Sequence, residues 1–377
     1  MKICGVVMAG GGGTRFWPLS RRKKPKQFLN LSGKGPLINE AVERLIPVCE
    51  NGEVFVVTGI DQADMLQRVV GERVKASHIL KEPAPRNTAA CIGLAVIEVL
   101  ERHGDAVLIV TPSDHAITDM PGFHAVLKQA AAEAEEHAKI VTIGITPTSP
   151  HTGYGYIRAE KPASAKRPGR KKKETNAAEN KEAEKCLPAV EFVEKPDLET
   201  AKDYLKKGCY YWNSGMFVFR ASVMFSMFEE FLPDIHEKLS QLRGTIRTQA
   251  KAAVMQKIYP SIPKISIDYG IMERAAAKGN VLVLPGSFGW SDVGSFPEMA
   301  ALHKADEQGN ISFGDTLEMD TQNCILYSQD RLVAALGIKD MIVIETSDAV
   351  LITNREHTQS IGKVVEKLKE LKRDELT

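Results

Sequence analysis

The chain has 377 residues, 49 of them basic and 48 acidic, and a net charge of +1 with histidine neutral. It is long enough to bury a large core, but its balanced charge argues against bulk binding to nucleic acid or a membrane surface, and no apolar run is long enough to span a bilayer. The six cysteines are scattered without a CxxC pair, which favours reduced thiols in a cytoplasmic protein over a disulfide framework or a zinc site.

Short apolar segments alternate with longer amphipathic segments over residues 1–145. The predicted strands are ICGVVMA, EVFVVTG, SHILK, AVLIVTP and KIVTIGI. The predicted helices between them are INEAVERLIPVC, DQADMLQRVVG, NTAACIGLAVIEVLERHG and GFHAVLKQAAAEAEEHA. Because the strands are continuously apolar, the alternation predicts an α/β fold with a parallel sheet covered by helices on both faces.

The rhythm changes near residue 150, where TGYGYIRAE and PAVEFVEKP are predicted strands. Residues 161–186 between them hold many charges and almost no large apolar side chains. Such a segment cannot bury enough surface to offset its ordering entropy, so we predict a solvated, largely disordered insertion. The alternative, a functional basic patch at RPGRKKK, stays open.

A helix (LETAKDYLKKG), a strand (YYWNSGMFVF) and a helical stretch over residues 221–257 follow. Another helix is predicted to begin near Ser266, and VLVLPGSFGWSDVG returns to strand and turn. Farther on, NCILYSQ, RLVAALGI, MIVIETS and AVLITN are short strands at close, regular spacing. They predict a small β module closed by a helix. The pattern divides the chain into a domain over 1–304 and a second over 305–377.

Four consecutive glycines follow the first predicted strand, in AGGGGTRFWPLSRRKKPKQF. Open α/β sheets bind ligands at this end of their strands. The loop lacks the Gly-Lys-Ser/Thr ending of a P-loop, and Arg15 or Phe16 stands where a dinucleotide loop has its third glycine. Bare backbone N–H groups followed by Arg15 and Lys26 suit a polyphosphate. The cations expected to be solvated or steering charges are Arg21, Arg22, Lys23 and Lys24.

Two aspartates stand just beyond predicted strands, Asp114 in IVTPSDHAI and Asp292 in FGWSDVGS. A carboxylate in such a position can hold Mg²⁺, which usually takes one or two carboxylates together with substrate phosphates. From the residues alone, each aspartate is equally well explained as a helix cap or a turn residue.

Other polar residues lie within apolar strands or at their edges. Glu194 and Lys195 stand in FVEKP, and Asn213 stands in YYWNSGMF. Glycines in the strand TGYGY, including Gly155, often mark close approach by a ligand. Taken singly, such polar residues are more often satisfied core or edge residues than ligands.

Together these stretches resemble the sugar-1-phosphate nucleotidylyltransferases and, more narrowly, the mannose-1-phosphate guanylyltransferase family. The matching pieces are AGGGGTRFWPLS, PKQF, EPAPRNTA, PSDH, TGYGYI, FVEKP, WNSGMF, SIDYGIME and GWSDVGS. They cover most of residues 1–300 in the family's order. The resemblance implies a nucleotidyltransferase fold, α/β with a Rossmann-like, mixed and mainly parallel sheet, and a β-helix-like C-terminal module that contributes to a homodimer.

The resemblance also implies transfer of GMP from GTP to α-D-mannose 1-phosphate, giving GDP-mannose and pyrophosphate. Arg15 and Lys26 would act on the phosphates, and Asp114 and Asp292 would hold Mg²⁺ as the cofactor. The residues implied to bind the nucleotide are Gly10, Gly11, Gly12, Gly13, Thr14, Arg86, Asn87 and Thr88. The residues implied to bind the sugar phosphate are Gly155, Glu194, Lys195 and Asn213.

Two alternatives stay open on the sequence. One is a nucleotidylyltransferase for another sugar phosphate or another nucleotide, and the other is a catalytically silent nucleotide-sugar sensor. A silent relative is expected to lose Arg15, Lys26 or a metal aspartate. This chain retains all of them, which favours catalysis.

Overall fold

The computed structural model describes residues 1–11, 13–160 and 185–377. Gly12 and residues 161–184, most of the predicted insertion, lie outside the described residues.

The strands are β1 (Ile3–Met8), β2 (Val54–Gly59), β3 (Ile79–Glu82), β4 (Val107–Pro112), β5 (Ala116–Ile117), β6 (Ile140–Ile145), β7 (Tyr156–Ala159), β8 (Leu187–Val193), β9 (Tyr210–Arg220), β10 (Val281–Gly286), β11 (Trp290–Ser291), β12 (Ile311–Phe313), β13 (Thr316–Met319), β14 (Ile325–Ser328), β15 (Val333–Leu336), β16 (Met341–Glu345) and β17 (Val350–Asn354). The helices are α1 (Leu37–Leu45), α2 (Ala63–Val70), α3 (Asn87–His103), α4 (Met120–His137), α5 (Leu198–Lys207), α6 (Ala221–Phe231), α7 (Pro233–Arg243), α8 (Lys251–Ile258), α9 (Glu273–Ala277), α10 (Phe296–Ala300) and α11 (Ile361–Glu370). Across these ranges, no helix is long and apolar enough to cross a membrane.

A nine-stranded sheet forms the centre of the fold, in the order β3-β2-β1-β4-β9-β6-β10-β8-β7. β1 pairs in parallel with β2 and β4, and β6 pairs in parallel with β10. β9 runs antiparallel to both β4 and β6. The five strands predicted within residues 1–145 are β1, β2, β3, β4 and β6. The predicted α/β fold with a mixed, Rossmann-like sheet is therefore confirmed.

Side chains of β1 alternate between two apolar cores, one on each face of the sheet. Val6 lies in a core with α3, α6 and α7, whereas Val7 lies in a core with α1, α2 and α4. This is the two-residue period of a strand, and burial on both faces explains why β1 is a continuous apolar run. Fully burying one such side chain stabilises the fold by roughly 1.5–3 kcal/mol.

The helical stretch predicted over 221–257 consists of three helices, α6, α7 and α8. Pro233 begins α7 at a first-turn position, where its missing N–H leaves no helical bond unmade. The helix predicted near Ser266 begins as a π-helical turn, Asp268–Met272, that continues into α9. The hydroxyl of Ser266 accepts a hydrogen bond from the N–H of Tyr269 at 3.3 Å, as expected of a cap.

Strands β12 to β16 form a short parallel coil, and β17 runs antiparallel to β16. β12, β14 and β16 stack in parallel, and β13 pairs in parallel with β15. Ile311, Ile325 and Ile342 are in register and buried, so they form one column inside the coil. This is the predicted β-helix-like module. Its first strands, β12 and β13, are half-exposed and carry no clear sequence pattern. The division of the chain between residues 304 and 305 stays a prediction.

The end of the glycine loop packs into a third core with this module. Phe16 and Trp17 share that core with Ile344 of β16 and Ile361 of α11. The indole N–H of Trp17 also donates a hydrogen bond to the carbonyl of Leu376 at 2.8 Å. The loop is therefore held in place by residues from the far end of the chain.

Arg21 departs from the prediction of a solvated charge. Its guanidinium lies 2.6 Å from Asp348 and 5.4 Å from the centroid of the Trp17 ring. The side chain is only 14% exposed. The prediction was wrong here because Asp348 stands more than three hundred residues away in the sequence, so no local pattern announces the pair.

Candidate active site

A cavity of about 160 Å³ lies beside the glycine loop. Its lining residues are Gly10, Gly11, Gly13, Arg15, Phe16, Lys26, Gln27, Asp114 and Gly294. Six of these belong to the site predicted from sequence. The structure thus brings the loop, its two predicted cations and one predicted aspartate around one space, whereas Gly12 is outside the described residues.

The glycines of the loop serve different purposes. Gly13 has φ of +56°, and a Cβ placed there would lie 2.4 Å from the Cβ of Lys26. Gly11 has φ of +101°, which L side chains rarely adopt. At Gly10 an added Cβ would meet nothing within 4 Å, and φ is ordinary. Neither packing nor backbone conformation therefore requires glycine at position 10. Close approach of a ligand to the bare backbone would explain why a glycine stands there.

Lys26 joins the two predicted metal-binding segments. Its Nζ donates to Asp114 Oδ2 at 2.8 Å and to the backbone carbonyl of Asp292 at 2.6 Å. The residue is only 6% exposed. Burial opposes ionisation of Asp114, but the ammonium of Lys26, the neighbouring His115 and the hydrogen bonds to the carboxylate together hold its pKa below the usual value.

The side chain of Asp292 is held at one oxygen. Its Oδ1 accepts hydrogen bonds from the hydroxyl of Tyr154 at 3.0 Å and from the N–H of Gly294 at 3.1 Å. A Cβ on Gly294 would lie 3.1 Å from Asp292 Oδ2 and 3.2 Å from Arg15 Nη1, so both groups reach the same point. Burial and the charge of Glu298 raise the pKa of Asp292.

The donor set around Lys26 fits a divalent cation that is shared with a substrate. Within the ranges that the structure describes, no group of three or more His, Cys, Asp or Glu residues could hold a metal alone. Asp292 Oδ2 accepts no hydrogen bond from the described residues. Asp292 is half-buried, and this oxygen is therefore available to a cation. Mg²⁺ commonly takes two carboxylates and completes its shell with phosphate and water, which suits Asp114 and Asp292.

His115 is a neutral neighbour of this site. The indole N–H of Trp290 donates to His115 Nδ1 at 3.1 Å. Burial lowers the pKa of His115 to about 4, although Asp114 acts against that shift. Because Nδ1 accepts this hydrogen bond, the proton of neutral His115 is on Nε2. Neither ring nitrogen then has a free lone pair, so His115 is poorly suited to act as a general base.

Three of the residues predicted to bind the sugar lie together. A Cβ on Gly155 would be 2.8 Å from Glu194 Oε1 and 3.4 Å from the Cβ of Asn213. The carbonyl of Gly155 accepts a hydrogen bond from the N–H of Asn213 at 2.8 Å. Lys195 follows Glu194 in the chain, with φ of +45° and an exposed side chain. Absence of a side chain at Gly155 leaves room for the carboxylate of Glu194.

The amide of Asn213 is fixed at both ends. Its Oδ1 accepts from the N–H of Gly215 at 3.0 Å, and its Nδ2 donates to Asp268 Oδ1 at 2.9 Å. Burial raises the pKa of Asp268, and burial together with the charge of Asp268 raises that of Glu194. Two partly desolvated carboxyl groups thus flank an oriented amide, an arrangement that can accept and donate hydrogen bonds to sugar hydroxyls.

An aromatic cluster connects this group to Asp292. The ring of Tyr154, whose hydroxyl bonds Asp292, lies 5.1 Å from the ring of Trp212 and 5.3 Å from that of Trp290. Trp212 directly precedes Asn213 in β9. Aromatic side chains therefore link the surroundings of Asp292 to the strand that carries Asn213.

The segment predicted to bind the nucleoside is attached to residues 260–267. Arg86 Nη2 donates to the carbonyl of Pro260, and the hydroxyl of Thr88 accepts from the N–H of Ile267 at 2.8 Å. Asn87 begins α3 with φ of +64°. The side chains of Arg86 and Thr88 hold the segment in place, and Asn87 Oδ1 accepts a hydrogen bond from the N–H of Thr88 at 2.8 Å. These assignments stay a prediction.

Tyr154, Asp268, Gly294 and Glu298 are site residues that sequence reasoning did not assign. The first three stand inside motifs quoted for the resemblance, TGYGYI, SIDYGIME and GWSDVGS. Their positions within those motifs could have pointed to these three residues. The residues that Tyr154 and Asp268 contact, however, lie far away in the sequence. Glu298 carried no sequence signal; its carboxylate lies 3.3 Å from His151 Nε2.

Comparison with known protein sequences agrees with the observed fold and with the resemblance carried by the motifs. A family model described as nucleotidyl transferase matches residues 4–309, and a MannoseP isomerase/GMP-like beta-helix domain model matches residues 314–368. The xanthan biosynthesis protein XanB of Xanthomonas campestris pv. campestris (strain B100) is 39% identical over 374 residues, which cover 99% of this chain and 74% of that protein. The mannose-1-phosphate guanylyltransferase of Klebsiella pneumoniae is 36% identical, with 98% of this chain and 74% of that protein covered.

The same agreement holds for structure. The crystal structure of a mannose-1-phosphate geranyltransferase, so described, from Thermus thermophilus has a TM-score of 0.83 and 33% identity. The match covers 98% of this chain and 100% of the Thermus thermophilus chain. The chain belongs to the nucleotidyl transferase family. The relatives it matches over nearly its whole length include proteins named mannose-1-phosphate guanylyltransferase, which confirms the resemblance drawn from the motifs.

Proposed function

We propose that this chain transfers GMP from GTP to α-D-mannose 1-phosphate, forming GDP-mannose and pyrophosphate. One observation carries the proposal: a buried Lys26 bridges the segments of Asp114 and Asp292 beside the cavity at the glycine loop. A cation between two carboxylate-bearing strand ends is suited to binding and activating a polyphosphate.

In this reaction a phosphate oxygen of mannose 1-phosphate attacks the α-phosphorus of GTP, the new P–O bond forms in line, and the bond to pyrophosphate breaks. The attacking oxygen is already anionic near pH 7, so no general base is needed, in keeping with a neutral His115. Catalysis then rests on positioning and on offsetting charge. We assign Lys26 to the α-phosphate or the sugar phosphate and Arg15 to the remaining phosphates.

Mg²⁺ is proposed as the cofactor, held by Asp114 and Asp292. When bound, it would neutralise negative charge on the phosphates of the substrates. Tyr154 supports this role, because its hydroxyl fixes Oδ1 of Asp292 and leaves Oδ2 to face the site.

Mannose recognition is assigned to Gly155, Glu194 and Asn213, with Lys195 on the sugar phosphate. Carboxylate and amide groups match sugar hydroxyls, which both donate and accept hydrogen bonds. Lys195 follows Glu194 in the sequence and is exposed. Its ammonium is therefore accessible to the phosphate of the sugar.

A substrate panel tests the proposal. GTP, ATP, UTP and dTTP are each combined with mannose 1-phosphate or glucose 1-phosphate, and pyrophosphate release is measured with Mg²⁺ present. GTP with mannose 1-phosphate is expected to give the highest kcat/KM. Preference for another pair would overturn the substrate assignment while keeping the reaction class. Binding of GDP-mannose by the wild type without turnover of any pair would instead favour a sensor.

We further propose a homodimer that forms through the C-terminal module, as the resemblance implies. In support, Met319 of β13 and Leu336 of β15 are register partners and are 55% and 67% exposed. Neighbouring apolar side chains exposed on one small sheet mark an interaction surface. Light scattering is expected to show a dimer that Leu336→Asp converts to a monomer, with Leu371→Asp, exposed outside this sheet, as the control.

We propose a cytoplasmic location, because GTP and sugar phosphates are charged metabolites that do not cross membranes unaided. Cell fractionation, with activity measured in the soluble and membrane fractions, tests it. Recovery of the activity in the membrane fraction after a salt wash would contradict the proposal.

A further inference from the structure

The cavity at the glycine loop is too small to take a nucleoside triphosphate by itself. Its volume is about 160 Å³, whereas pockets that enclose ligands of drug size measure roughly 300–1,000 Å³. A bound GTP must therefore extend beyond this cavity, and the walls of the neighbouring space become part of the nucleotide site.

A second cavity, of about 310 Å³, adjoins the first at Gly11, which lines both. Thr14 and Pro85 also line it, and Pro85 belongs to the segment EPAPRNTA that is predicted to lie beside the guanosine. The opposite wall is formed by Val365 and Lys369 of α11. The space that connects the glycine loop to the predicted nucleoside segment is therefore bounded by the C-terminal module.

We propose that the C-terminal module completes the nucleotide site, with Lys369 binding GTP directly and Gln359 positioning Arg15. This inference deepens the proposed function and rests on it. It gives the module a part in substrate binding that is independent of its part in a dimer.

Lys369 is a charge without a protein partner. Lys367, on the same helix, is paired with Glu370 at 2.7 Å, but no ion pair among the described residues includes Lys369. Val365, one helical turn earlier, is buried in the third core and fixes this face of α11 toward the loop. An unpaired ammonium beside the cavity is available to an anionic or acceptor-rich ligand.

The helix is fixed relative to the loop. A Cβ on Gly362, in the first turn of α11, would lie 3.7 Å from the hydroxyl of Thr14. The third core, with Phe16 and Trp17 on the loop side and Ile361 on the helix side, prevents independent movement of the two. Lys369 therefore stands at a defined place beside the second cavity.

Arg15 receives its orientation from the same module. Its Nη1 donates to Gln359 Oε1 at 3.3 Å, in the turn that leads into α11. Arg15 is exposed, and among the described residues the amide of Gln359 is its side-chain hydrogen-bond partner. This hydrogen bond restricts where the guanidinium points. Gln359 acts through Arg15 and is thus a positioning residue.

Steady-state kinetics and equilibrium GTP binding test the proposal on the full chain. Lys369→Met is expected to raise KM and Kd for GTP about tenfold, the effect of losing one charge-assisted hydrogen bond, without changing KM for mannose 1-phosphate. Lys369→Arg should retain most of the affinity. Lys363→Met removes an exposed lysine of the same helix that does not line the cavity, and it should behave as the wild type.

Gln359→Met is expected to lower kcat/KM for GTP about fivefold, as for one lost hydrogen bond, while Gln359→Glu, which can still accept from Arg15, restores it. Equal affinity of wild type and Lys369→Met for GTP would overturn the role of Lys369. An equal loss in Gln359→Glu and Gln359→Met would overturn the positioning role. If the wild type did not use GTP at all, the proposed function would fail, which is a different result from either.

Discussion

Lys26 Nζ lies 2.8 Å from Asp114 Oδ2 and 2.6 Å from the carbonyl oxygen of Asp292. One buried ammonium therefore holds the segments that follow β4 and β11 at a fixed separation before any substrate arrives. It also lies 5.9 Å from the centroid of the Phe16 ring, which ties it to the glycine loop. Electrostatic catalysis requires charged groups that are positioned before the reaction, because they then need no reorganisation in the transition state. The ammonium of Lys26 is such a group.

Lys26→Met is expected to lower kcat about a hundredfold, because loss of one preorganised cationic contact costs on the order of 3 kcal/mol in the barrier. Turnover is measured by pyrophosphate release at saturating substrates. Lys24→Met removes an exposed charge from the same basic stretch and should leave kcat unchanged. A Lys26→Met enzyme with near-normal kcat and an intact fold by circular dichroism would contradict the role assigned to Lys26.

Asp292→Asn is expected to raise the Mg²⁺ concentration required for half-maximal activity at least tenfold, with little change in thermal stability. The asparagine keeps an Oδ1 acceptor for the hydroxyl of Tyr154 and the N–H of Gly294, so local structure should persist. It loses the negative charge that a divalent cation needs. Binding of Mn²⁺, followed by electron paramagnetic resonance, supplies a readout that does not depend on turnover. Unchanged Mn²⁺ affinity in the variant would remove Asp292 from the metal site.

Gly10→Ala and Gly13→Ala distinguish a glycine that is needed for ligand binding from one that is needed for folding. A Cβ at Gly10 meets nothing within 4 Å, so stability should stay within about 0.5 kcal/mol while KM for GTP rises about tenfold. At Gly13, φ of +56° and a contact of 2.4 Å with Lys26 Cβ should lower stability by more than about 1 kcal/mol. Urea unfolding and GTP kinetics on both variants test this contrast, which would be wrong if Gly10→Ala bound GTP normally.

Most of the fold could be predicted because its strands are buried on both faces and therefore form apolar runs, as β1 and β4 do. The site was harder. The motifs pointed to Lys26 and Asp114, but Tyr154 meets Asp292 across 138 positions and Asn213 meets Asp268 across 55. No local pattern encodes such pairs, since each depends on how separate elements are brought to one edge of the sheet.

Asp268→Asn tests whether the carboxylate that orients Asn213 contributes to sugar recognition. The change keeps shape but removes the charge that accepts from Asn213 Nδ2 at 2.9 Å, so KM for mannose 1-phosphate should rise about fivefold. KM for GTP should not change, because the glycine-loop cavity does not include Asp268. Asp234→Asn, at an exposed position of α7, is the matched control. Equal increases in both KM values would indicate general damage rather than a role toward the sugar.

Glu345→Gln should reveal how the C-terminal module responds to acid. One oxygen of Glu345 accepts from the N–H groups of Gln329 at 2.8 Å and Asp330 at 3.0 Å, and the other accepts from Arg331 Nε at 2.8 Å. These bonds, that from the Asp330 N–H above all, lower the pKa of Glu345 from 4.5 to about 2.

A folded-state pKa below the unfolded value stabilises the fold above the unfolded pKa, and this contribution is lost as pH falls through the folded pKa. The wild type should therefore exceed Glu345→Gln in free energy of unfolding near pH 6, and the difference should shrink between about pH 4.5 and about pH 2. Because Ile344 beside it packs in the core that holds Phe16, the variant should also bind GTP more weakly than the wild type near neutral pH, where the carboxylate of Glu345 is fully ionised. Urea unfolding at a series of pH values measures the first effect, and a difference that stayed constant with pH would show that the carboxylate charge does not stabilise the module.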